Sequence, residues 1–176
     1  MKIVLIGCRG AGKSTVGKRL ADRLGMSFVD TDDLLTERHG RSITEIVGSQ
    51  GWDRFRAEEK AIIKEISALD NLVIASGGGS VLDEENVRSF GKNGLIVWLK
   101  ADPEVLVSRL SRDPKNFFQR PSLTGKGLAE EIREVLTHRN PLYERASSIR
   151  LDTSSLTEEA VVEEICSILE KRTEGK

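Results

Sequence analysis

Aromatic residues are scarce in this chain, 5% of 176 residues. Single-stranded nucleic acid is held largely by stacking on aromatic side chains, so that class of partner is disfavoured. An excess of one charge is also missing: 27 Lys and Arg stand against 28 Asp and Glu, a formal net charge of -1. Nothing there advertises a duplex-binding surface or an anionic membrane as partner. Cysteine is limited to Cys8 and Cys166. Two are too few for a disulfide framework, and they read as reduced thiols of a cytoplasmic protein. The two histidines, His39 and His138, have no Cys or carboxylate at metal-ligand spacing and read as surface residues. No apolar run approaches the ~20 residues needed to span a bilayer. The first residues read as a strand, not as the charged and apolar regions of a signal peptide, so none is expected. There is no Asn-Lys-x-Asp guanine reader, which disfavours a GTP-dependent switch.

What is present is an alternation of short apolar runs and helical patterns. "KIVLIG", "NLVIAS" and "GLIVWL" are continuous apolar runs, as expected of strands buried on both faces. "SFVD" and "SIRLD" add two shorter strands. Val16, Leu20 and Leu24 recur at helical spacing, and Gly25 is placed to stop that helix. "DDLLTERHG" reads as a short helix ending at Gly40. "SITE" at 42–45 forms a capping box, and a break at Gly51 precedes a longer helix. Asp102 and Pro103 occupy the N-cap and first position of a further helix. Ser155 and Glu158 suggest another capping box, opening a terminal helix. Strands that alternate with helices imply a parallel sheet covered on both faces. The fold class expected is α/β: a three-layer sandwich with a five-stranded parallel sheet. The chain reads as one domain, residues 1–176. Its least regular stretch, 112–127, mixes Pro, Gly and basic residues without a period and reads as a mobile lid.

The strongest chemical signal is "GCRGAGKST" at 7–15, which fits G-x-x-x-x-G-K-[ST] directly behind a buried strand. Glycines let the backbone curl so that successive N–H groups point at phosphate oxygens. Lys13 can reach the outer phosphates, the Ser14 hydroxyl can ligate Mg²⁺, and the helix N-terminus adds its positive dipole end. In "DTDDLL", Asp30 and Asp32 stand at the carboxyl end of the second strand, where ligands of open parallel sheets bind. One can hold the water shell of Mg²⁺, and the other can accept a proton from an attacking hydroxyl. A nucleotide acceptor already carries an anionic oxygen and would be repelled there. The acid pair therefore points to phosphoryl transfer to an alcohol. Arg56, Arg120 and Arg139 ask for anionic partners, since the guanidinium fork matches carboxylate or phosphate. "GGG" at 77–79 follows a buried strand and permits close approach by a ligand. Trp52 and Phe55 flank Arg56, and Trp98 belongs to the core.

Taken together, "GCRGAGKST", "DTD", "FRAEE", "SGGGSV", the "RP" of the irregular stretch and "RNPLY" resemble, in order and spacing, the shikimate kinase family. The resemblance covers nearly the whole chain. It implies a P-loop kinase fold like that of nucleoside monophosphate kinases, with an acceptor-binding helical region at about 32–62 and a lid at about 112–127. It implies transfer of the ATP γ-phosphoryl group to the 3-hydroxyl of shikimate, on the chorismate route to aromatic amino acids. By motif match, Gly10, Ala11, Gly12, Lys13, Ser14 and Thr15 would hold nucleotide phosphates, and Arg109 would stack on adenine. Ser14, and Asp30 through water, would hold Mg²⁺. Asp32 would hold the acceptor hydroxyls and act as base. Arg56 and Arg139 would grip the carboxylate, with Gly78 and Gly79 beside the ring. Arg120 would be the lid arginine. Lys13, Asp32 and Arg120 are thus the expected catalytic residues. ATP and shikimate are the expected partners and a monomer the expected state. Two departures stand out: Ser122 replaces an apolar lid residue, and "LDTSSLTEE" lacks a proline expected beside adenine. A gluconate or nucleotide kinase is the enzyme alternative. A nucleotide-dependent binding module is the non-enzyme one.

Overall fold

A computed structural model describes residues 1–113, 122–123 and 125–174. Five strands, β1 (Lys2–Ile6), β2 (Ser27–Asp30), β3 (Leu72–Ala75), β4 (Gly94–Lys100) and β5 (Ile149–Asp152), form one sheet in the order β2-β3-β1-β4-β5. Every pairing is parallel. The helices are α1 (Lys13–Leu24), α2 (Thr31–His39), α3 (Ile43–Ile66), α4 (Glu84–Gly91), α5 (Pro103–Ser111), α6 (Leu128–Ala146) and α7 (Glu158–Glu174).

The apolar run of β1 explains the three layers. Successive side chains of a strand point to opposite faces. Ile3 and Leu5 join a core with Val16 and Leu20 of α1 and Val161, Val162 and Ile165 of α7. Val4 and Ile6 join a second core with Ile62, Ile63 and Ile66 of α3, Phe90 of α4 and Tyr143 of α6. Both faces of the sheet are therefore covered, as the unbroken hydrophobic runs require. β5 lies at an edge and alternates instead: Ile149 and Leu151 are buried, Arg150 and Asp152 exposed.

Local signals account for most boundaries. Gly25 and Gly40 end α1 and α2 in the left-handed conformation. The Ser42–Glu45 capping box opens α3, and Gly51, at φ 79 and ψ 169, kinks it. Gly51 is itself non-helical, so two helical stretches meet across the kink and the break falls where the sequence places it. α7 differs from its expected start. The Thr157 hydroxyl, not Ser155, caps it by accepting from the N–H of Ala160 at 3.2 Å, and the helix begins at Glu158. Thr157 directly precedes the first helical turn, whereas Ser155 lies in the bend after β5. Asp102 and Pro103 occupy their expected places, yet the Asp102 side chain makes no capping bond. Its backbone N–H donates to the Ser154 hydroxyl at 2.9 Å. Helices α4 and α6 had no counterpart in the sequence reading. Pro141 sits inside α6, after Leu128, Ile132, Val135 and Leu136 have set out its helical period.

The register of β2 against β3 sets Asp30 beside Ala75. The residues leaving both strands therefore emerge together, next to the loop that follows β1. This is the carboxyl edge of the sheet, where the functional groups collect.

Candidate active site

The loop after β1 is held in a closed curve by its own lysine. The Lys13 ammonium donates to the carbonyls of Gly7 at 2.9 Å and Cys8 at 3.0 Å. Its side chain is buried inside the loop. Gly7 adopts φ +142, and a Cβ there would strike the Leu99 carbonyl of the neighbouring strand. Only glycine fits that junction. The loop then enters α1 at Gly12, leaving Ser14 and Thr15 exposed in the first turn.

Asp30 performs two tasks from the end of β2. Its Oδ1 accepts from the N–H groups of Asp32 at 2.9 Å and Asp33 at 3.4 Å, capping α2. Its Oδ2 accepts from the Ser14 hydroxyl at 2.5 Å. Ser14 and Asp30 thus present oxygen donors side by side, the set a hard divalent cation takes. Asp32 is 8% exposed and is no solvated turn residue. The segment 77–79 packs against it. The N–H of Gly77 donates to Thr31 Oγ1 at 2.8 Å. A Cβ on Gly77 would lie 2.8 Å from Asp32 Oδ1 and 2.6 Å from Glu59 Oε1, so the backbone runs close beneath two carboxylates.

Asp32, Arg56, Gly78, Gly79 and Arg139 line a single cleft, together with the rings of Trp52 and Phe55. Arg56 is fixed from two sides. Its guanidinium pairs with Glu59 at 2.6 Å and lies over the rings of Trp52 and Phe55, 5.5 and 5.1 Å from their centroids. A side chain on Gly79 would collide with that guanidinium. Arg139 projects from α6 toward Gly78, its Nη1 3.7 Å from where a Cβ would stand. Tyr143, one helical turn on and wholly buried, donates to the Gly78 carbonyl. Burial holds the Tyr143 phenol well above its ordinary pKa, so it remains a donor. Burial likewise raises the Glu59 carboxyl, against the pull of Arg56 and with a further push from Asp32. Burial also raises the Cys8 thiol at the floor of the cleft, opposed by Lys13.

Arg109 stands on the other side of the loop. It donates to the Thr153 carbonyl at 2.6 Å, to Thr153 Oγ1 at 3.3 Å and to the Gly10 carbonyl at 3.5 Å. It borders a second cleft with Ala11, Gly12, Thr153 and Leu156. Asp32, Arg56, Gly78, Gly79 and Arg139 therefore line one cleft and Ala11, Gly12 and Arg109 another, both reaching the phosphate loop. Arg120 and most of 112–127 lie outside the described residues. Arg9, Thr31, Glu59, Glu131, Tyr143 and Thr153 join the site without a role assigned from sequence. Glu59 had a usable signal, since Arg56 and Glu59 are three apart on one helix and must face each other. The others are joined across the fold and left no local trace.

Among the described residues, no helix is long and apolar enough to cross a membrane. No cluster of three or more His, Cys, Asp or Glu is placed there to hold a metal.

Comparison with known proteins agrees with the geometry. The family model described as shikimate kinase matches residues 9–170. A protein named shikimate kinase 2 from Yersinia enterocolitica is 43% identical over 167 residues, covering 95% of this chain and 94% of that one. A shikimate kinase from Nitratidesulfovibrio vulgaris is 44% identical over 146 residues, 83% of each. Among solved structures, shikimate kinase from Acinetobacter baumannii in complex with shikimate superposes with a TM-score of 0.90. Its identity is 30%, with 97% of this chain and 93% of that chain covered.

Proposed function

This chain belongs to the shikimate kinase family, and from that premise we propose how its own side chains divide the work. ATP is the co-substrate, and the chain transfers its γ-phosphoryl group to the 3-hydroxyl of shikimate, giving shikimate 3-phosphate and ADP. The observation that carries the assignment of roles is the one cleft lined by Arg56, Arg139 and Asp32, beside Cys8 and Arg9 of the phosphate loop.

The two guanidinium groups take the shikimate carboxylate, each by its planar fork. Asp32 takes the ring hydroxyls, and the backbone of Gly78 and Gly79 supports the ring. With the carboxylate anchored at one end, the 3-hydroxyl faces the loop. Its oxygen forms the new bond to phosphorus while the bond from phosphorus to the β–γ bridging oxygen breaks. The hydroxyl proton passes to Asp32, and the bridging oxygen leaves on ADP. The transition state is loose, so positioning and charge stabilisation carry most of the acceleration. Lys13 exchanges the carbonyls of Gly7 and Cys8 for phosphate oxygens. The backbone N–H groups of Gly10, Ala11 and Gly12, with Ser14 and Thr15, hold the nucleotide phosphates, and Arg109 faces the adenine. Ser14, and Asp30 through water, fit Mg²⁺, which when bound would neutralise charge on the phosphates. Arg120 takes the lid role by motif match alone. The region 32–62 is the acceptor-binding part of one kinase domain, with 112–127 its lid. We read the chain as a monomer and, from its two free thiols, as cytoplasmic.

The experiment is ADP release with ATP and Mg²⁺, offering shikimate, gluconate and several nucleoside monophosphates in parallel. Shikimate should be preferred by orders of magnitude. Comparable turnover with gluconate would show that the clamp reads only a carboxylate.

A further inference from the structure

Glu131 joins two parts of the site that lie far apart in sequence. It sits in the first turn of α6 and is 3% exposed. Its Oε1 accepts from Arg9 of the phosphate loop at 3.3 Å. Its Oε2 accepts from the Ser122 hydroxyl and from the N–H of Leu123 at 3.0 Å. Ser122 Oγ in turn accepts from the N–H of Gly125 at 2.9 Å, closing a small turn on the carboxylate. A carboxylate this buried is tolerated only when its oxygens are well supplied with donors, and here a guanidinium, a hydroxyl and an amide provide them.

What these donors carry with them matters more than the bonds. Leu123 is 38% exposed and lines the acceptor cleft, as do Arg9 and Glu131 itself. The Arg9 backbone N–H lies 3.5 Å from where a Cβ on Gly78 would stand. One carboxylate therefore sets an apolar wall of the acceptor cleft and braces the loop beside it. Ser122 supplies the hydroxyl of this junction. We propose that Glu131 is a positioning residue for the acceptor, holding Leu123 and Arg9 in place through its two oxygens. The proposal rests on shikimate occupying that cleft.

A glutamate in the first turn also favours its helix through the dipole, and that role alone would show in stability and not in substrate affinity. The deciding measurement is steady-state kinetics with each substrate varied, on Glu131→Gln, Ser122→Ala, Ser122→Thr and Arg139→Ala. The amide of Gln must turn its NH₂ toward either Arg9 or the Ser122–Leu123 pair, so one side of the junction opens. Glu131→Gln should raise the KM for shikimate about tenfold, the range for a lost charged hydrogen bond. The KM for ATP and kcat should stay within about twofold, because the nucleotide contacts lie elsewhere on the loop. Ser122→Ala should move the shikimate KM the same way by less, and Ser122→Thr, which keeps the hydroxyl, should restore it. An unchanged shikimate KM in both Glu131→Gln and Ser122→Ala overturns the proposal. So does a parallel rise in both KM values together with a lower Tm, the signature of a merely structural residue. Should Glu131→Gln fail to fold, Ser122→Ala decides alone. Arg139→Ala separates the two levels. If it raises the shikimate KM while Glu131→Gln does not, the junction is wrong and the cleft is right. If it too leaves the KM unchanged, the cleft assignment and the proposal fall together.

Discussion

On the acceptor side of the phosphate loop, charged side chains are paired before any ligand arrives. Arg56 lies against Glu59 and two aromatic rings, and Tyr143 fixes the carbonyl of Gly78 beside Arg139. On the nucleotide side, the groups are backbone amides, two exposed hydroxyls, and an arginine tied to main-chain carbonyls. The difference follows from what each side must recognise. Phosphates are common to many ligands, and a curl of N–H groups at a helix start binds any of them. A small hydroxy acid must be told from its relatives by groups that cannot swing, since misplaced or unpaired buried polar groups carry the discrimination. Substitutions should therefore lower turnover for every acceptor when made in the loop, and alter acceptor affinity selectively when made in the cleft.

The largest effect is expected at Lys13, which belongs to both sides. In the proposed role, Lys13→Ala removes a charge from the transferring oxygens, which would cost at least ~3 kcal/mol in barrier. It also removes the bonds to Gly7 and Cys8 that keep the loop curled. Activity should fall more than a hundredfold, about that barrier increment, with a lower Tm. Near-wild-type turnover would defeat the loop assignment. Asp32→Asn comes next. The amide still accepts a hydrogen bond from the hydroxyl but cannot take its proton, so kcat should drop about a hundredfold. ATP binding, followed by calorimetry, should stay within about twofold, because the role proposed for Asp32 is toward the acceptor. An unchanged kcat would reduce Asp32 to a structural residue of α2.

The phosphate loop and the acid pair were legible because their chemistry is local. A strand, a glycine turn and a helix start within 15 residues specify the loop, and Asp30 and Asp32 lie two apart at a strand end. The sheet was legible because double-sided burial leaves continuous apolar runs. The stops at Gly25 and Gly40 and the Ser42 cap were read for the same local reasons. The start of α7 was misplaced because two residues there offer a hydroxyl cap, and only the path of the chain after β5 selects Thr157. Helix α6 was legible too, since Leu128, Ile132, Val135 and Leu136 recur at helical spacing before Pro141, yet only Arg139 was singled out within it. Glu131, Arg9 and Tyr143 were invisible for a different reason: each meets its partner across the fold, and a single sequence does not record such pairs.

A more modest effect is expected on the nucleotide side at Arg109. Arg109→Ala should raise the KM for ATP about tenfold, equivalent to ~1.4 kcal/mol, and leave the KM for shikimate unchanged. The guanidinium faces the cleft between Gly10 and Thr153 and borders none of the acceptor groups. If the shikimate KM moves as far as the ATP KM, the two sides are not separable in the way described above.

The smallest effect tests the pairing on the acceptor side through pH. Glu59 is 2% exposed, and its Oε1 is buried without a hydrogen-bond partner among the described residues. Burial raises its pKa above the ordinary 4.5, with Asp32 adding to the shift and Arg56 opposing it. The folded chain therefore binds this proton more tightly than the unfolded chain does. Stability from the group is fully present below the unfolded value and is lost as pH rises through the folded one. Glu59→Gln has no such titration. Measured by urea unfolding, the stability of the variant relative to wild type should improve as pH rises from about 4 toward neutrality. At neutral pH the same variant should bind shikimate more weakly, because Arg56 loses the anion that holds it over Trp52 and Phe55. Stability and affinity thus move in opposite directions, as expected where a buried charge is kept for position and not for folding. Identical pH profiles for variant and wild type would show that Glu59 titrates as an ordinary carboxyl. Unchanged shikimate binding would show that the aromatic rings alone are enough to place Arg56.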